Sequence, residues 1–187
     1  LAEIYATSTS VPVKEKILHA YMLSGDREKV LAAARTEKNP ELREAAVHQL
    51  GIMGARGELW QLYQTETSRE VKEEILQAMF ISGDSQRLLE LARTEKDKEL
   101  RAEAIQKAGL TGKAGTGEAL VAIYKSDPDP EIKEAVIQAL FVQGNARALI
   151  DIAKTEKDRE LKQEAVQKLS LMGDKEATEY LLEILNR

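Results

Sequence analysis

Apolar residues recur along the chain at intervals of three and four, in short stretches separated by polar segments, as expected of amphipathic helices. Aligned on one apolar position, the stretches form a series: Val13, Leu42, Val71, Leu100, Ile132 and Leu161, spaced 29, 29, 29, 32 and 29 residues apart. Twelve residues beyond each anchor stands a glycine (Gly25, Gly54, Gly83, Gly112, Gly144, Gly173). A glycine just past a periodic apolar segment predicts a left-handed helix terminator. Three residues before each anchor stands Ser10, Asn39, Ser68, Asp97, Asp129 or Asp158, a residue able to accept from the free N–H groups of a first turn. Pro40 and Pro130 follow their caps directly, where a missing N–H is harmless.

A second helix precedes each of these. It is predicted to start at Leu1, Val30, Leu59, Leu88, Leu120 or Leu149, with apolar residues again three and four places on. Those places hold Ile4 and Tyr5, Leu62 and Tyr63, and Ile123 and Tyr124 in odd units. In even units they hold Ala33 and Ala34, Leu91 and Ala92, and Ile152 and Ala153, so a pair of units is the true repeat. The string Ala-Arg-Thr-Glu-Lys-Asn-Pro-Glu-Leu-Arg at 34 to 43 belongs to the even units and returns, slightly varied, at 92 and 153. The extra residues near Lys113 to Thr116 lengthen one loop, and Leu181, Leu182, Ile184 and Leu185 read as the first helix of an incomplete seventh unit. The expectation is an all-α chain of thirteen helices in one array over 1–187, with units 1–25, 26–54, 55–83, 84–115, 116–144 and 145–173 and a partial unit 174–187.

Helix pairs of about 29 residues, with Pro or Asp opening the second helix and a basic residue after its anchor, resemble HEAT repeats, notably the short phycobilisome-lyase-like type. The nearest match is Asp127-Pro128-Asp129-Pro130-Glu131-Ile132-Lys133-Glu134-Ala135-Val136. The resemblance implies a right-handed α-solenoid whose second helices line the concave face. It carries little about function, because such arrays serve many roles.

Composition narrows the partner. The net charge is −5, which leaves no basic excess to neutralise phosphates or to hold an anionic membrane, so neither nucleic acid nor membrane is expected. No cysteine is present, which removes disulfide and thiol chemistry and fits cytoplasm and periplasm equally. The chain opens at Leu1 inside a helical pattern and without an initiator Met, and so reads as a piece of a longer protein; the cytoplasm is favoured, with the periplasm open should a signal precede it.

Counting forward from each anchor at 100° per residue, positions two, three and six fall opposite the packed stripe. Position six reads His19, His48, Gln77, Gln106, Gln138 and Gln167, and positions two and three include Glu15, Glu44, Glu73, Glu103 and Glu134. These eleven residues form the candidate site, an acidic, amide-rich trough for a basic protein or peptide segment. Position one is basic throughout (Lys14, Arg43, Lys72, Arg101, Lys133, Lys162) but borders the packed stripe, where a cation reaches carboxylates or carbonyls of the neighbouring unit's turn, such as Asp97 or Asp129. Trp60 belongs to packing between repeats.

The two histidines occupy equivalent positions and would meet at a metal with Glu15 or Glu44, yet their 29-residue spacing matches no metal motif. No phosphate loop, dinucleotide fingerprint or nucleophile elbow occurs either. The reading is therefore a monomeric, non-enzymatic interaction scaffold without cofactor or metal. Three alternatives stand behind it: a HEAT-like DNA base-excision glycosylase, which needs a basic face; a bilin lyase, which needs a large pocket; and a spacer in a larger protein.

Overall fold

The structure, a computed structural model, describes residues 1–186. Thirteen α-helices and no strand occur among them. The first helices of the pairs are α1 (Ala2–Thr7), α3 (Arg27–Thr36), α5 (Arg56–Thr65), α7 (Ser85–Thr94), α9 (Thr116–Ser126) and α11 (Ala146–Thr155). The second helices are α2 (Val11–Leu23), α4 (Pro40–Ile52), α6 (Arg69–Ile81), α8 (Lys98–Leu110), α10 (Pro130–Val142) and α12 (Arg159–Met172), and α13 (Lys175–Leu185) follows. Helices pack pair by pair, as in a HEAT-like α-solenoid. Two compact units divide the chain, Leu1–Arg87 and Leu88 onward.

The helix ends follow the predicted chemistry closely. Asn39, Ser68, Asp97, Asp129 and Asp158 each accept from a backbone N–H of the first turn that follows. Ser10 stands at the cap position of α2, but its side chain accepts nothing. All six predicted terminator glycines have positive φ. At four of them the chain closes as a Schellman motif: Gly25 N donates to Met22 O and Asp26 N to Tyr21 O, and the same pair of bonds recurs at Gly54, Gly83 and Gly144. At Gly112 the longer loop leaves the helix and ends in Gly115 at φ 82°, next to α9.

The first helices begin about one turn before the apolar residue from which they were read, at Arg27, Arg56, Ser85, Thr116 and Ala146. The stripe itself is where expected: Val30, Leu59, Leu88, Leu120 and Leu149 are wholly buried, as are Ala46, Ile75, Ala104 and Val136, four beyond their anchors in the second helices. Three expectations fail at the chain's extremities. Val13 is 39% exposed, together with Leu1 and Ile4, because six-residue α1 supplies too little surface to cover them. In α13 the buried residues are Ala177 and Tyr180, while Leu182 and Leu185 face solvent. The α13 helix is rotated from the predicted register, and Lys154 of α11 stands 5.4 Å over the Tyr180 ring.

Neighbouring second helices meet in two ways. Position nine of α4 and α8 is glycine, and a Cβ on Gly51 or Gly109 would stand 2.9 Å or 2.8 Å from Ala78 or Ala139 of the next helix. Those pairs therefore touch backbone to backbone. The same position of α10 holds Phe141, with Lys168 of α12 5.5 Å over its ring, so that pair is held apart by side chains.

Candidate functional site

Five of the six cations at position one are engaged by the fold, and Lys162 is exposed. Lys14 Nζ lies 2.8 Å from Glu37, Arg43 Nη1 2.8 Å from Glu66, Lys133 Nζ 3.6 Å from Glu156, and Arg101 pairs with Asp127. The acceptors lie in the next unit's turn, as expected, but are Glu37, Glu66, Asp127 and Glu156 and not the caps Asp97 and Asp129; Glu37 and Glu156 belong to Thr-Glu-Lys strings. The reason is local. Glu66 Oε1 already accepts from the N–H groups of Thr67 and Ser68, and Glu156 Oε1 from those of Lys157 and Asp158, so each carboxylate is fixed toward the incoming cation. Tyr124 donates to Glu156 Oε2 at 2.6 Å. Its hydroxyl and two backbone N–H groups, assisted by Lys133, hold the Glu156 carboxyl at about 2, while burial and the same hydrogen bond push the Tyr124 phenol well above its usual range.

Unit type selects the cation. Where the first helix carries Tyr, the residue is Lys and stacks on that ring: Lys14 over Tyr5 at 4.8 Å, Lys72 over Tyr63 at 4.9 Å and Lys133 over Tyr124 at 5.1 Å. Where it carries Ala, as at Ala92, the guanidinium of Arg101 reaches past it and donates to the Ala92 carbonyl at 3.0 Å. Lys162 departs from this rule.

The candidate trough is only partly assembled. Glu15, Glu44 and His48 do come together, with Glu41 and Glu74, around a cavity of about 320 Å³. His48 Nδ1 lies 3.0 Å from Glu74 Oε1. Burial and the neighbouring Glu74, Glu41 and Glu70 raise the Glu44 carboxyl above its ordinary value. His19 is exposed and does not line this cavity, so the two histidines are not joined there. Among the described residues no three His, Asp or Glu side chains stand close enough to share a metal.

Gln106 and Gln138 line a second cleft of about 370 Å³ in the second unit. Gln167 lies in a third, on α12 alone. Glu73 pairs with Arg69 at 3.1 Å and Glu103 with Lys107 at 3.7 Å, both along their own helices. Gln77 is half-buried, and Glu134 is exposed outside every one of these clefts.

One column escaped the sequence reading. The residue ten beyond each anchor is Leu23, Ile52, Ile81, Leu110, Val142 or Leu171, and all six are 37 to 71% exposed. Each lies one turn beyond position six on the same side of its helix, and in the second unit Leu110 and Val142 share the cleft with Gln106 and Gln138. The signal was present as an apolar residue two before each terminal glycine, but it is easily taken for a helix-end core residue. Each unit therefore offers a face that is acidic toward the start of its second helices, amide or imidazole in the middle and aliphatic at the end.

Residues 85–149 match the family of HEAT repeats. The match supports a HEAT-repeat protein. No curated protein matches the sequence. Among the described residues no helix is long and apolar enough to cross a membrane.

Proposed function

We propose that the protein is a non-enzymatic scaffold whose second-helix faces bind a basic, amphipathic protein segment. The observation that carries this reading is the exposed aliphatic column beside the acidic and amide columns. An aliphatic side chain left in water at the same place in six repeats finds its use when a partner covers it. The partner's cations would meet Glu15, Glu41, Glu44 and Glu74, and its apolar residues the Leu110 and Val142 rail. The 29-residue unit favours the phycobilisome-lyase-like subtype as repeat geometry, without implying bilin chemistry. Monomeric binding along one array of repeats fits this role, and a spacer role would leave the aliphatic column without purpose.

A synthetic peptide alternating Lys and Leu tests the reading against its Glu and Leu counterpart. The Lys peptide should bind with modest salt dependence and lose about tenfold or more when Glu15, Glu44 and Glu74 are together reversed to Lys. Full retention of binding by the triple variant overturns the reading.

A further inference from the structure

A further cavity lies on the other side of the second unit, between the first helices α9 and α11. It measures about 670 Å³, within the range of roughly 300–1,000 Å³ usual for ligand sites. Its floor is apolar, formed by Val121, Tyr124, Ala148 and Ile152.

The repeat explains why it exists. Around α5 in the first unit, Arg56 donates through Nε and Nη2 to the Ser82 carbonyl, and Trp60 lies under the Arg87 guanidinium at 5.7 Å. In repeat register Arg56 corresponds to Gly117, Trp60 to Val121 and Arg87 to Ala148. All three replacements line the cavity. The two guanidinium side chains and the indole found around α5 are thus absent here, and the space between α9 and α11 is open.

Polar groups were left behind. Gln143, the counterpart of Ser82, has its side-chain oxygen buried without a hydrogen-bond partner, 2.9 Å from where a Cβ on Gly117 would stand. Asn145 Nδ2 stands 2.7 Å from the same point. At the rim, Lys133 is paired with Glu156 and Arg147 with Glu176 at 3.2 Å, while among the described residues Glu118 and Asp151 enter no ion pair and Lys125 is the one other cation of the lining. The unpaired charge of the cavity is therefore acidic.

We infer that this cavity is a second docking site, which takes an aromatic side chain and a neighbouring cation from a partner peptide and so restores the aromatic and guanidinium pair that the array supplies for itself at α5. The aromatic ring occupies the space over Val121 and Ala148, and the cation lies toward Glu118 and Asp151. This site is separate from the second-helix faces and does not depend on their role.

The test follows backbone amide shifts of Gly117, Ala148 and Ile152 in the whole chain, titrated with N-acetyl-Arg-Trp-amide, tryptamine and indole-3-acetate. The Arg-Trp peptide should move all three amides with affinity on the order of millimolar or better, and bind more tightly than tryptamine. Indole-3-acetate, with its charge reversed, should be about threefold or more weaker than tryptamine. Val121→Trp, which fills the cavity from within, should weaken the peptide about tenfold, and Ala148→Arg should do the same by an independent route if Val121→Trp does not fold. Absence of shifts at these amides overturns the inference, as does equal binding of tryptamine and indole-3-acetate, or binding unchanged in a folded filled variant. Tighter binding of tryptamine than of the peptide overturns the peptide as occupant.

Discussion

Two charged columns run along the second helices, one residue apart at positions one and two, and they have opposite fates. Arg43 is locked against Glu66, whose side chain is 8% exposed, whereas Glu134 stands in solvent with no ion pair among the described residues. Position one is basic in all six units and position two is less uniform. The more regular column is the structural one. A rotation of 100° per residue carries the first toward the next turn and the second away from it, so regularity of charge in a repeat protein marks what repeats must hold in common, not what they bind.

The largest effect should come from breaking the locked column. Glu66→Ala removes an ion pair and the acceptor of two backbone N–H groups, and denaturant unfolding should show a loss of about 3 kcal/mol. A loss near zero would erase the distinction between the columns. Next, Gly51→Ala or Gly109→Ala drives a Cβ into Ala78 or Ala139 and should cost about 1–3 kcal/mol, although alanine in a helix ordinarily gains about 1 kcal/mol over glycine. A stabilised variant would show that the helices separate freely.

Acid should distinguish the columns as well. The Glu156 carboxyl is held at about 2, below its ordinary 4.5, so its contribution is full above pH 4.5 and lost as pH falls toward 2. Glu156→Gln should flatten that part of the stability curve, and an unchanged acid limb would count against the Tyr124 and Lys133 clamp. Glu44 has the opposite sign: its carboxyl is raised, so protonation as pH falls through that raised value favours the folded state, and Glu44→Gln should be neutral or slightly stabilising near pH 7. The smallest effect is expected at the open column, where Gln106→Ala should alter stability by less than about 0.5 kcal/mol. A larger loss in a thermal melt would move Gln106 from the binding face into the fold.

Much of this was legible in the sequence. Cap residues, terminator glycines and the apolar stripe act within one helix or its immediate turn, so their spacing alone predicted six caps, five of which accept a first-turn N–H, and six left-handed glycines. The site was less legible. The acidic and amide columns follow from helical geometry, but whether Glu15 and Glu44 share a cavity while His19 stays outside it depends on how neighbouring helices lean.

By itself, then, the sequence determined thirteen helices among the described residues, the ends of most second helices and, away from α1, α2 and α13, which side of each is packed, because those depend on contacts a few residues apart. Tertiary structure decided which carboxylate each cation meets, since Glu66 and Glu156 are aimed by their own backbone turns and not by distance along the chain. It also decided that the exposed aliphatic column stays uncovered within each unit, and that Gly117, Val121 and Ala148 leave a cavity, because an apolar residue or a gap acquires meaning only against the neighbour that fills it or fails to.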